Sequence, residues 1–429
     1  MHNIGIKPNN FMSDCKYFMN TSQFNSTILL LLIAVVSCTS VKEVNFKTPV
    51  DTSTKQIVFQ QKKVYSTSNN VYAANNFDGA RLNDFQQEND STFLAYIEPE
   101  NTPINNSGYY SFKIWSKQEK NIYIKFKYPK GYKHRYIPKL KKNNTNWSSI
   151  DSSLVYKKDT LVSIKLFVSK DTTWVSAQEI VTSKDTENWY KDVVNNKSYV
   201  HVKSAGKSIQ GRNLPVLDIY KGKKEQKPIV VLLTRQHPPE VTGFFAYQEF
   251  IETILKENSI TNEFLHKYRI LAFPIVNPDG VDLGHWRHNA GGVDTNRDWS
   301  KYRQPEINKV TQFIAKELKR NKTKIVLGLD FHSTYHDVFY TNKIRKGTTL
   351  PNFIDDWFSA LEKNIPNYKV NEAAGNSTKP VSKGWFLYGH NAVGITYEIG
   401  DATPRNQIKL VGKVTAEEMM KILNNSIIN

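Results

Sequence analysis

Cysteine is almost absent: the 429 residues contain two, Cys15 and Cys38, and both lie within the first forty. If that stretch is removed, no cysteine remains and no internal disulfide can form. A bilayer-spanning segment is also missing near the start. The apolar run there, Thr27–Val36 (TILLLLIAVV), has about ten residues where a spanning helix needs about 20, a length that suits a signal-peptide core. Acidic residues are in deficit, 40 against 58 Lys and Arg, which leaves a formal net charge of +18. The excess is spread in pairs such as Lys62-Lys63, Lys141-Lys142, Lys157-Lys158 and Lys223-Lys224. Such a surface favours acidic substrates or an anionic envelope surface, or is simply a lysine-rich solvated exterior. No motif interleaving aromatic and basic residues stands out, so no nucleic-acid partner is expected. Hydrophobic residues make up 39% of the chain and aromatics 12%, enough for an ordinary buried core. The length predicts one or two domains behind a leader.

The apolar run ends in Val35-Val36-Ser37-Cys38, followed by Thr39-Ser40. This resembles the bacterial lipobox, in which a small residue precedes the cysteine that is acylated and becomes the new N-terminus. The resemblance implies a lipoprotein signal peptide over residues 1–38 and a membrane lipid anchor at Cys38. It also implies a place in the bacterial cell envelope, facing the periplasm or the surface. An ordinary signal peptide with an incidental cysteine is the alternative.

Residues 39–90 are polar, rich in Asn, Ser, Thr and Gln, and read as a lead-in without sustained periodicity. Over 91–187 short alternating runs predict antiparallel strands and a small β-sandwich: Phe93–Ile97, Tyr109–Ile114, Ile122–Phe126 and Leu161–Phe167. From 188 to 429 the texture becomes α/β. Apolar strands are predicted over Pro228–Leu233, Tyr268–Val276 and Lys324–Phe331, with another ending at Glu398. Helices are predicted over Val241–Lys256, Pro305–Arg320 and Pro404–Leu423. This alternation implies an α/β fold with a mixed, largely parallel sheet and helices on both faces. In such sheets ligands bind beyond the carboxyl ends of the strands.

Four segments near those ends carry chemistry. His237-Pro238-Pro239-Glu240 puts an imidazole and a carboxylate three residues apart at a strand-to-helix junction, both suitable donors to zinc. His332 ends the Lys324–Phe331 strand. Two ligands from one segment and a remote third leave a position open for water, the arrangement of a catalytic site. The pairs His285/His288 and His332/His336 also have metal-like spacing. In the Gly-rich segment 284–299, Arg287 and Arg297 flank Asn296, and arginine offers a planar fork suited to a carboxylate or a developing oxyanion. Glu398 follows Ile395-Thr396-Tyr397, an apolar place suited to a general base of raised pKa. Each segment alone also has an ordinary structural reading, as a helix-starting acid, a surface arginine pair or a strand-end acid reaching water.

Together these residues resemble the zinc metallocarboxypeptidases of the carboxypeptidase A type, over residues 200–425. The resemblance implies one Zn2+ per chain held by His237, Glu240 and His332, with Asp294 orienting His237. It implies Glu398 as general base and acid, Arg287 polarising the scissile carbonyl, and Asn296 with Arg297 holding the terminal carboxylate of the substrate. Ser208 and Gly211-Arg212 fit the lead-in of that family. The β-rich segment, with Tyr109-Tyr110 and Lys133–Tyr136, is similar to the sandwich that precedes the catalytic domain in cytosolic-type carboxypeptidases and their bacterial relatives. The position of the family's mobile tyrosine falls near Asn376, leaving Tyr368 or Tyr388 as substitutes, or the role absent. With Trp385 as anchor, Lys383 falls where side-chain preference is set, which implies an acidic terminal residue. Expected partners are peptide or protein C-termini. The alternatives are a carboxypeptidase or amidase acting on cell-wall stem peptides, and an inactive binding lipoprotein.

Overall fold

The computed structural model describes residues 41–143 and 145–428, so the apolar run and Cys38 lie outside the described residues. In chain order the first strands are β1 (Val64–Ser66), β2 (Val71–Ala74), β3 (Asp84–Gln87), β4 (Thr92–Tyr96), β5 (Ser111–Ser116) and β6 (Lys120–Lys127). They continue as β7 (Lys139–Lys142), β8 (Ser148–Ser149), β9 (Val155–Lys158), β10 (Leu161–Val168) and β11 (Thr173–Ser176). They form two sheets, in the orders β1-β2-β5-β11-β7-β8 and β3-β4-β6-β10-β9. Pairing is antiparallel except between β4 and β6. Alternation decides which face is buried. Ile122, Ile124 and Phe126 of β6 point inward, as do Phe112 and Ile114 of β5, and they join Phe85, Phe93 and Ile164 in one apolar cluster. The two sheets make the expected sandwich, but it starts earlier than 91: β1, β2 and β3 fall within residues 39–90, read as a lead-in, where the strands are too short to show a sustained period.

Residues 41–62 form no regular element, yet main-chain bonds hold them along the rest of the chain. Val44 N–H donates to Ser300 O, Thr48 N–H to Thr378 O, Lys55 N–H to Gly291 O and Val58 N–H to Glu100 O. Their ladder partners are loops, which is why no periodicity marks them.

The second region is built on β12 (Val200–Lys207), β13 (Asn213–Ile219), β14 (Ile229–Thr234), β15 (Arg269–Phe273), β16 (Ile325–Thr334), β17 (Val338–Tyr340), β18 (Glu372–Ala373) and β19 (Val393–Gly400). Their order is β12-β13-β15-β14-β16-β19-β17-β18. The central pairs β15-β14, β14-β16 and β16-β19 are parallel, while β12-β13, β13-β15 and β17-β19 are antiparallel. The helices are α1 (Ser183–Val193), α2 (Val241–Ile254), α3 (Ser259–Lys267), α4 (Pro278–Leu283), α5 (Pro305–Asn321), α6 (Phe353–Asn364), α7 (Ser382–His390) and α8 (Arg405–Asn425). On one face α2, α3, α6 and α8 pack over Leu232, Leu329 and Ile395. On the other, α5 and α7 pack over Val231, Leu233 and Leu271. All six residues of β14 are buried, which explains its uninterrupted apolar run. Burying each large aliphatic side chain stabilises the fold by about 1.5–3 kcal/mol relative to leaving it exposed. The expected mixed α/β architecture is present.

Candidate active site

The carboxyl ends of β14, β16 and β19 lie side by side. The turn after β14 carries His237 and Glu240, β16 carries Asp330 and His332, and β19 places Glu398 opposite His332 in register. Glu240 is the residue that begins α2, but its carboxylate makes no capping bond. It turns to the histidines instead. Glu240 Oε1 lies 2.8 Å from His237 Nδ1, and Oε2 lies 2.6 Å from His332 Nδ1. The two Nδ1 atoms are 3.1 Å apart, and all three residues are buried.

The opposite ring nitrogens are already engaged. His237 Nε2 is 2.9 Å from Asp294 Oδ1, and His332 Nε2 is 2.8 Å from Asp330 Oδ2. An Nε2–H donated to a carboxylate leaves Nδ1 as a lone pair, so two lone pairs and a carboxylate converge on one point. Without a cation that convergence is repulsive. Two imidazole nitrogens and a carboxylate oxygen are the donor set of an open zinc site, so the residues fit the metal. Asp330 itself is held by the Ser382 hydroxyl and by Gln236 Nε2 at 2.5 Å. It escaped the sequence reading although a signal existed: residues two apart on a strand share a face, and Asp330 stands two before His332.

Glu398 is half-buried beside this cluster, and its Oε2, which is shielded from solvent, has no hydrogen-bond partner among the described residues. Burial, with the charge of Glu240 adding to it, pushes its carboxyl up to about 8. Asp294 links the parts. Its Oδ2 accepts Arg287 Nε at 2.7 Å and lies 3.8 Å from Arg297 Nη1, while Oδ1 faces His237. Burial opposes its charge, but Arg287 and Arg297 hold its carboxyl well below the usual range. Asn296 accepts the Ser382 N–H at 2.9 Å through Oδ1, which turns Nδ2 to within 3.3 Å of His332 Nε2.

His237, Glu240, His332, Glu398, Arg287, Asn296 and Arg297 line a cavity of about 490 Å³ that also takes in Lys383. Lys383 stands in the first turn of α7 and is almost fully buried. Its Nζ donates to Thr341 O, Asn342 Oδ1, Ala374 O and Ser377 Oγ at 2.7–3.1 Å, all neutral acceptors. Burial pulls its pKa down to about 7. Asn376 lines the cavity where a family tyrosine was looked for. Of the tyrosines, Tyr335 and Tyr340 line it, whereas Tyr368 packs on the core and Tyr388 bonds Ser377 O. The sandwich supplies part of the wall through Asn105, Asn106, Ser107 and Arg135. Arg135 Nε donates to Asp401 Oδ2 at 2.8 Å. The competing pair His285/His288 has other work: His285 Nδ1 meets His288 O at 2.9 Å, and His288 Nδ1 meets Asn101 Oδ1 at 2.6 Å. In the other pair His332 joins His237 and Glu240, while His336 is exposed between β16 and β17. Ser208 and Arg212 bind Asp279 and tie the β12–β13 hairpin to α4.

Residues 186–418 match the family model for zinc carboxypeptidases. Cytosolic carboxypeptidase 6 of Mus musculus is 29% identical over 145 residues, which is 32% of this chain and 27% of that protein. Its Homo sapiens counterpart is 31% identical over 147 residues, again 32% of this chain and 29% of that protein. The chain thus spans less than a third of the length of these curated relatives. In fold it is similar to the metallo-carboxypeptidase of Burkholderia cenocepacia (TM-score 0.67, 14% identity, 82% of this chain and 98% of that one). It is also similar to the metallo-carboxypeptidase of Pseudomonas aeruginosa solved with (2-guanidinoethylmercapto)succinic acid (TM-score 0.66, 17% identity, 82% and 98%). The family match takes in more than half of the chain, including the His237–Glu240 turn, β16 and β19, and the chain belongs to the zinc carboxypeptidase family.

Proposed function

We propose that this chain is a zinc-dependent carboxypeptidase that removes residues from the C-termini of peptides or proteins. The observation that carries the reading is the meeting of the His237–Glu240–His332 cluster, Glu398, Arg287, Asn296 and Arg297 in one cavity. Zinc bound there supplies Lewis acidity, polarising the scissile carbonyl and lowering the pKa of a water from about 15.7 towards about 7. Glu398 takes the proton of the attacking water and returns it to the leaving amine. Its unpartnered oxygen supports this role. Commitment of the Glu240 charge to a cation relieves the like-charge part of the push on Glu398. Arg287, anchored through Nε on Asp294, meets the developing oxyanion, a contact whose loss typically costs about 2.7–4 kcal/mol. Asn296 and Arg297 hold the free terminal carboxylate, which makes the enzyme an exopeptidase. The succinate-based ligand of the Pseudomonas aeruginosa protein, a dicarboxylate, is the kind of group these cations suit.

An acidic terminal residue is the preferred substrate in this reading. Lys383 is a buried ammonium at the cavity wall with no carboxylate partner among the described residues, and buried charges are normally paired. A substrate carboxylate supplies the missing partner. Residues 27–40 support export and attachment by lipid at Cys38, and mass analysis of the mature N-terminus, or release from membranes by Cys38→Ala, tests that placement.

The activity is tested by mass spectrometry of peptides incubated with the zinc-loaded protein. A peptide with a free C-terminus is expected to lose single terminal residues, and its amide to stay intact. Internal cleavage, or equal attack on the amide, would sink the exopeptidase reading. Release from muropeptides alone would move the substrate to the cell wall.

A further inference from the structure

We infer that Glu100, a residue of the β-sandwich region, is a positioning residue for Arg287. The inference rests on the reading of Arg287 as the group that meets the oxyanion. Glu100 Oε2 accepts the Trp286 N–H at 2.8 Å, and Oε1 accepts the Arg287 N–H at 3.0 Å and the His288 N–H at 2.6 Å. Successive N–H groups alternate in direction along a strand. Three of them turned to one side form a concavity that needs an anion to hold it. The carboxylate is fully buried, so water is no substitute. Burial works against its charge, but His285, Arg81 and the His288 N–H keep its carboxyl below the usual range.

A second constraint acts on the same segment. Trp286 is fully buried in the apolar cluster of the sandwich, with its ring 5.3 Å from that of Tyr132 and 6.2 Å from that of Tyr128. Arg81 Nε donates to Gly284 O at 2.8 Å, just upstream. The sandwich therefore fixes the backbone on both sides of Arg287, and Asp294 fixes the far end of its side chain at Nε. Neither suffices alone. Asp294, seven residues further along the same loop, sets only where the guanidinium is tethered, whereas Glu100 sets where the side chain starts. A catalytic group misplaced by about 1 Å can lose about 10²-fold in rate. On this account the sandwich is part of the catalytic apparatus, reaching the reaction through a carboxylate that touches no substrate.

The test is a double-substitution cycle on the full zinc-loaded chain, comparing wild type, Glu100→Gln, Arg287→Ala and both together. Glutamine turns one acceptor into a donor facing an N–H. The expected result for Glu100→Gln is a kcat lower by about 10- to 100-fold, with KM and zinc content near wild type. In the Arg287→Ala background the same substitution should change kcat by less than about threefold, because residues acting as a unit are non-additive. Equal losses in both backgrounds, or a wild-type kcat in Glu100→Gln while Arg287→Ala is crippled, would overturn the inference. A wild-type rate in Arg287→Ala would instead overturn the role given to Arg287. If Glu100→Gln does not fold, Glu100→Asp, which keeps the charge but withdraws it by one methylene, goes through the same cycle with the same two outcomes.

Discussion

Asp294 joins His237 to Arg287: Oδ1 lies 2.9 Å from His237 Nε2, and Oδ2 accepts Arg287 Nε at 2.7 Å. One carboxylate therefore sets both the tautomer of a proposed ligand and the tether of the proposed oxyanion group. In Asp294→Asn the amide presents a donor to one of those two donors. Zinc affinity should fall by about 10- to 100-fold, as is usual when the partner of a ligating histidine is lost. Competition with a chelator measures it, and unchanged affinity would show that His237 is oriented by something else.

Gly243 in α2 lies against the carbonyl of His332, where an added Cβ would come within 2.2 Å of that oxygen. The helix backbone fixes where the Cβ would stand and the oxygen is itself backbone, so one element must move. Gly243→Ala should displace α2 from β16, lower stability by about 1–3 kcal/mol and weaken zinc binding. Denaturant unfolding of the metal-free protein, together with metal titration, reads both effects. Full stability with full affinity would mean that the helix yields without moving Glu240.

Lys383 yields a pH prediction. Burial pulls its pKa down to about 7. Below that value the ammonium attracts an acidic side chain, and above it the neutral amine does not. The ratio of kcat/KM for matched peptides ending in Glu and Leu should favour Glu at pH 6 and fall as pH rises through about 7. Taking the ratio cancels titrations common to both substrates. Lys383→Met should abolish the preference and its pH dependence. A ratio flat in pH and indifferent to that substitution removes Lys383 from substrate recognition.

Much of the catalytic half was legible because its signals are local. The run before β14's end, the His237–Glu240 spacing and the register of β16 are each contained in a few residues, and the order of the segments carried the rest. Asp330 is equally local, two residues before His332 on the same face of β16, but an acid in a strand is not by itself the mark of a histidine's partner. Glu100 and Arg135 are different. Their partners lie 187 and 266 residues away, so nothing in their own surroundings tells what they bind. The strap at 41–62 was illegible for a related reason: it bonds through its main chain to loops, which imposes no side-chain period. Register puts Lys383 at the cavity, but its four neutral acceptors come from the segments that follow β17 and β18, which no spacing around Lys383 foretells.

Glu398 decides the central claim. Its Oε2 has no hydrogen-bond partner among the described residues, so Glu398→Gln keeps the shape of the side chain and removes little structural bonding. The decisive measurement is kcat for this variant on a peptide with a free C-terminus, at zinc content matched to wild type. A loss of about 10²- to 10⁴-fold is predicted, the range typical of a lost general base. A rate within a few-fold of wild type, with zinc still bound, would contradict the account.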